Sequence, residues 1–164
     1  MFKWDGKEDA LLTVALEVVR DVFNENQKFA WDLKPLFRLQ MAYLLLWSAI
    51  ERYASLRYHL GVDVTKKIRQ LAEEPSFQTA LQQFVKQEKR VYRADRPKEN
   101  YRLDPTNSSE SLDFYYQIRS NITHRGKAVP DDFDLLKDSL FQLSQIFDCV
   151  LESAFAEAKA SNTS

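Results

Sequence analysis

Cysteine occurs once, at Cys149, in a chain of 164 residues. No internal disulfide can form, and a cysteine-based zinc site is excluded. An unpaired thiol suits a reducing compartment, so a cytoplasmic location is expected. Glycine and proline are scarce, at three and five residues. That scarcity, with long-period apolar spacing, favours helix over sheet. Histidine occurs twice, which leaves His59 and His124 as the imidazole groups available for proton transfer. An excess of charge is missing too, with 23 basic residues facing 24 acidic ones. A surface that grips duplex DNA along its length is normally basic, so any nucleic-acid contact here must be local. Long hydrophobic runs are also absent. The greasiest stretch, Met41 to Ile50, is too short to span a bilayer and ends at Glu51-Arg52. The first ten residues, MFKWDGKEDA, lack the apolar region of a signal peptide. No membrane association is expected, and no internal repeat is visible.

What is present reads as a helical core. Nearly half the residues are hydrophobic, at 45%, enough for one globular domain. The expected domain is 1–160, with a frayed tail at 161–164. Leu12, Leu16, Val19 and Phe23 share one helical face, which predicts a first helix from about Lys7 to Asn26. Pro35 suits the first turn of a long second helix, running to Leu60 and stopped by Gly61. Short helices are expected at Val64 to Glu73 and from Pro75 to about Lys89. Arg90 to Ser109, with Pro97 and Pro105, reads as a polar connection. Ser108 or Ser109 then caps a helix that Gly126 ends. Pro130, Asp131, Asp132 and Asp134 suit the start of a last helix. Its residues Phe133, Leu136, Leu140, Leu143, Phe147, Val150 and Ala154 alternate steps of three and four, a seam for packing in a bundle or, second, a dimer. The expected fold is all-α: an antiparallel bundle of four main helices plus one or two short ones.

The stretch YYQIRSNITHRGKA, from Tyr115 to Ala128, stands out for its chemistry. Arg119 offers a planar fork of donors suited to phosphate. His124 can take or give a proton near neutral pH. Together they suffice to cut RNA: the histidine moves protons at the ribose 2′-OH or the leaving 5′-oxygen, and the arginine holds charge on the phosphoryl oxygens. Neither a metal nor any other cofactor is required. On an ideal helix the two side chains point about 140° apart. Either the helix loosens before Gly126, or a second copy completes the site in a two-fold dimer. Asn121 and Thr123 are placed to hold the imidazole or a phosphate, and Arg125 and Lys127 to add phosphate contacts. The spacing alone is unspecific, since Arg52 and His59 match it as well. A histidine in a helix's last turn also serves as a simple charge against the dipole.

The segment IRSNITHRGK resembles the signature of the HEPN superfamily: an arginine, four to six residues, then a histidine. The trailing HRGK is similar to the Apea-like branch, and AIERYASLRYHL is similar to the second helix of such domains. The resemblance implies a helical bundle acting as a homodimeric, metal-independent endoribonuclease. It implies a setting in toxin–antitoxin or phage defence, with a cognate antitoxin of the nucleotidyltransferase kind as a further partner. It also leaves a non-catalytic module that binds RNA, a nucleotide or a protein. In the family a polar residue follows the arginine closely, a place taken by Ser120 or Asn121.

Three surrounding features bear on this expectation. Lys89, Arg90, Arg93 and Arg96, with Tyr92 and Tyr101 nearby, suit a single-stranded RNA track. The plain alternative is a solvated loop whose charges cancel. Glu51, the only acid between Leu36 and Leu60, is expected to point inward and need a partner. Arg119 or His124 would make it an orienting group, and another arginine would make it structural. Tyr115 and Tyr116 suit either the core or the wall of a substrate pocket, where Tyr116 joins the candidate binding residues.

Overall fold

The structure is a computed structural model that describes residues 9–25, 34–59, 63–125 and 132–162. Among them are six helices and one two-stranded sheet, in the order α1 (Ala10–Glu25), α2 (Lys34–Tyr58), α3 (Val64–Leu71), α4 (Pro75–Phe84), β1 (Lys89–Arg93), β2 (Arg96–Leu103), α5 (Ser108–Arg125) and α6 (Phe133–Asn162). None of the helices is long and apolar enough to cross a membrane.

The long helix α2 is the hub. Leu39, Tyr43, Leu46, Trp47, Ile50 and Tyr53 are sealed from solvent along it. Asp9 caps α1, accepting hydrogen bonds from the backbone N–H groups of Leu11 and Leu12. The same carboxylate receives Arg52 of α2, so one residue both starts α1 and fixes it against the hub. The seam expected on α6 faces inward, with Phe133 to Ala154 all buried at the seam positions. It is therefore used inside the fold.

The directions of α1, α2 and α6 are those of an up-and-down bundle. Leu36 shares a small cavity with Leu136, Tyr53 meets Phe147 edge-on, and Arg57 pairs with Glu157. Those contacts climb α2 and α6 together, so the two helices point the same way. Helix α1 runs opposite to α6, as Phe23–Phe141 and Arg20–Asp148 show.

The polar connection expected at 90–109 is instead a β-hairpin. Helix α4 stops at Phe84 because Val85 turns to extended dihedrals, well before Lys89. Val91 pairs with Tyr101 and Lys89 with Leu103 across the antiparallel ladder. Val91 and Leu103 are buried. The register shifts between Tyr92 and Arg93, next to the tight turn that brings in Pro97. An irregular ladder near its tip tolerates a residue without an N–H. Helix α5 makes its broadest contact with this hairpin, so it does not act as a plain fourth rod.

Two helix ends also differ from expectation. Asn107, not Ser108 or Ser109, caps α5 by accepting from the Glu110 N–H. Helix α2 ends at Tyr58, and His59 adopts a left-handed φ of 44°, a conformation histidine tolerates better than most residues. Gly61, Gly126, Pro130 and Asp131 lie outside the described residues. Helix α6 continues through Ser161 and Asn162, into the segment expected to fray.

Candidate functional site

Helix α5 carries the Arg–His pair, and Arg119 is held on two sides. Its Nη2 lies 2.8 Å from Glu51 Oε1 of α2. Its guanidinium carbon sits 5.2 Å from the centre of the Tyr116 ring. That ring in turn meets Trp47 edge-on at 5.3 Å. Trp47 and Glu51 are one turn apart on α2, and Tyr116 and Arg119 one turn apart on α5. The result is a four-residue ladder in which an anion and an aromatic face fix one cation. Of the two partners expected for Glu51, Arg119 is the one it meets.

His124 is exposed, and it does not join that ladder. Helix α5 is unbroken through Arg125, so the helix does not loosen before the histidine. Arg119 and His124 therefore diverge by about 140° in one chain. His124 follows Tyr116 and Ser120 at steps of four, on an adjoining face of α5. The rival pair dissolves on inspection: Arg52 is bound to Asp9, and His59 stands at the end of α2.

Asn121 is buried and turns toward the hairpin. Its Oδ1 accepts from the Ala94 N–H at 3.0 Å and from Gln117 Nε2 at 2.8 Å. Its Nδ2 donates to the Tyr92 carbonyl at 2.9 Å. The carboxamide thus serves both backbone groups of the hairpin tip, as a missing strand would. Its groups are committed to structure, which changes the role expected for it. Thr123 donates to the Arg119 carbonyl within the helix. Tyr115 is wholly buried and donates to Gln142, a core residue. The Arg125 side chain and Lys127 lie outside the described residues.

The expected RNA track largely neutralises itself. Lys89 pairs with Asp138, Arg93 with Asp95 and Glu99, and Arg96 with Glu99. Among the described residues, Arg90 reaches only Asn100, at 3.3 Å.

Beside the ladder, α3, β2 and α5 enclose a cleft of about 220 Å³ lined by Thr65, Ile68, Arg69, Tyr101, Leu112, Asp113, Tyr116, Gln117 and Ser120. Tyr116 and Ser120 were legible as candidates, since Ser120 lies within the motif and Tyr116 one turn before it. Asp113, Arg69 and Tyr101 were not, because three separate elements bring them together. Burial pushes the Asp113 carboxyl above the usual carboxylate range, and the Arg69 charge partly offsets this. Among the described residues, no cluster of three His, Cys, Asp or Glu side chains could hold a metal ion.

No family model, no curated protein and no solved structure matches this chain.

Proposed function

We propose that the chain is a HEPN-type endoribonuclease that works as a homodimer without a metal. One observation carries the reading. Arg119 is fixed by Glu51 and by Tyr116, which lines the adjacent cleft, while the unbroken α5 sends His124 off in another direction. A two-fold partner brings the His124 of one copy toward the Arg119 of the other. The outward apolar residues supply a surface for that pairing: Leu11, Val14 and Val18 on α1, Phe37 and Met41 on α2. Phe37, Met41, Leu44 and Ser48 form one stripe that continues into Glu51, beside Arg119.

In this reading His124 takes the proton from the ribose 2′-OH or delivers one to the leaving 5′-oxygen. Arg119 holds the charge that gathers on the phosphoryl oxygens. The products carry a 2′,3′-cyclic phosphate and a 5′-hydroxyl. Ser120 and Thr123 are the described residues assigned to phosphate binding, Arg125 and Lys127 are assigned to it from the sequence, and Asn121 contributes by fixing the hairpin against α5. The setting that goes with this activity is toxin–antitoxin or phage defence, with a nucleotidyltransferase-like antitoxin as the restraining partner. One observation favours a second reading as a non-catalytic RNA- or protein-binding module: Arg119 already has an anionic partner in Glu51.

The test is RNA cleavage by purified protein in EDTA, comparing wild type with Arg119→Ala and His124→Ala. Cleavage that survives EDTA and is lost in both variants supports the nuclease. Mixing the two inactive variants then probes the shared site. Random re-pairing restores roughly a quarter of the wild-type activity if each site draws on both copies. Equal, faint cleavage by all three proteins rejects catalysis and leaves the binding module.

A further inference from the structure

The cleft between α3, β2 and α5 holds a carboxylate that the proposed cleavage chemistry does not use. Asp113 is half-buried in its wall. Among the described residues, its carboxylate has no hydrogen-bond partner, and Arg69 acts on it by charge without a salt bridge. Withdrawing an acceptor from water without a donor costs free energy, and a ligand that supplies donors recovers it. The same cleft is lined by two aromatic side chains, Tyr101 and Tyr116, and by the exposed cation Arg69. Arg69 has no carboxylate within salt-bridge distance among the described residues. Two aromatic rings, an acceptor and a cation lining one cleft match the parts of a nucleotide: ring stacking, edge recognition and a phosphate contact.

The volume narrows the choice. About 220 Å³ lies below the roughly 300–1,000 Å³ of sites for drug-sized ligands, so the cleft suits one base, not a run of them. The acceptor narrows it further. A carboxylate accepts through two oxygens side by side. Guanine presents two adjacent donors, N1–H and the N2 amino group, on its Watson–Crick edge. Adenine and cytosine each present a single amino donor there beside an acceptor, and uracil presents one N–H between two carbonyls. Guanine alone satisfies both oxygens at once.

We propose that this cleft is a guanine-reading subsite for single-stranded RNA. Asp113 accepts from the base edge, Tyr101 and Tyr116 flank the ring, and Arg69 meets the adjoining phosphate. The placement relative to Arg119 and His124 as a cutting site rests on the nuclease reading, but base recognition does not. Tyr116 is shared: one side of its environment is the Arg119 ladder and the other is the cleft. A guanine seated here therefore lies next to the cation assigned to the scissile phosphate.

The test is calorimetric titration of the full chain with 5′-GMP, 5′-AMP, 5′-CMP and 5′-UMP, for wild type and Asp113→Asn. Asparagine keeps the shape but turns an amino group toward a guanine donor. The expected result is preferential binding of 5′-GMP, weakened roughly tenfold to a hundredfold by Asp113→Asn. Arg69→Ala should weaken 5′-GMP more than guanosine, which lacks the phosphate. Equal affinity for all four nucleotides, no binding of any, or 5′-GMP affinity unchanged in a folded Asp113→Asn protein overturns the subsite. The two readings fail separately. Selective 5′-GMP binding without RNA cleavage removes the nuclease and keeps the subsite, whereas cleavage indifferent to guanine removes the subsite and keeps the nuclease.

Discussion

Replacing Asn121 by Ala separates a structural role from a catalytic one. The side chain makes three hydrogen bonds, two to the backbone of the hairpin tip and one with Gln117. Each is worth about 1 kcal/mol net, and a buried partner left unsatisfied adds about 1–3 kcal/mol. The Gln117 side chain is buried and bears that penalty. Ala94 and Tyr92 lie beside a tip that water can reach, so their groups are partly relieved. The sum is a loss of about 2–4 kcal/mol, against a total of about 5–15 kcal/mol for a domain. Urea denaturation followed by circular dichroism measures it. Amide exchange at Ala94 should speed up in the same variant, because its N–H loses its acceptor. Asn121→Asp should not restore the stability, since a buried carboxylate oxygen would face the Tyr92 carbonyl, acceptor against acceptor. A loss below about 0.5 kcal/mol, with Ala94 exchange unchanged, would refute the clamp, the range of an ordinary surface substitution. Normal stability with abolished cleavage would return Asn121 to the catalytic role.

Two further outcomes are expected. Glu51→Gln removes an anion that competes with phosphate at Arg119. It should lower stability by about 0.5–1 kcal/mol and tighten RNA binding in fluorescence anisotropy. Weaker binding would mean that Glu51 orients Arg119 more than it competes. Asp113 has its carboxyl raised in the folded state by burial. Its contribution is favourable below the unfolded carboxylate pKa and is lost as pH rises through the folded value. At neutral pH Asp113→Asn should therefore be at least as stable as wild type, and that advantage should shrink on acidification toward pH 4 and below. Thermal melts of both proteins across pH check the sign, and an advantage over wild type that is smaller at neutral pH than in acid contradicts it.

Local periodicity carried much of the fold. The seam of α6 and the apolar face of α1 repeat within each helix, so spacing alone located them. Pro75 at the start of α4 was equally readable, because its missing N–H fits a first turn. The hairpin was not. Its inward residues Val91, Tyr101 and Leu103 alternate correctly, but Arg90 and Arg102 pair on the outward face and Pro97 argues against a strand. The register shift that accommodates the proline leaves no local mark. The structural bonds of Asn121 were hidden for a related reason: two of its partners are backbone groups 27 and 29 residues away, and no side-chain pattern announces a backbone partner. The Glu51–Arg119 pair was readable because a single acid on an apolar helix must be answered by a cation.

The shared direction of α2 and α6 has a consequence for synthesis. Arg57 and Glu157 are 100 residues apart in sequence, and Tyr53 must wait for Phe147. At translation rates of about 5–20 residues per second, the ribosome needs roughly 5–20 s to make the intervening chain. Through that interval one wall of α2 has no cover. The nascent chain therefore presents an aromatic surface to whatever binds unfolded proteins. A ribosome stalled before α6 would hold a product with its own centre open.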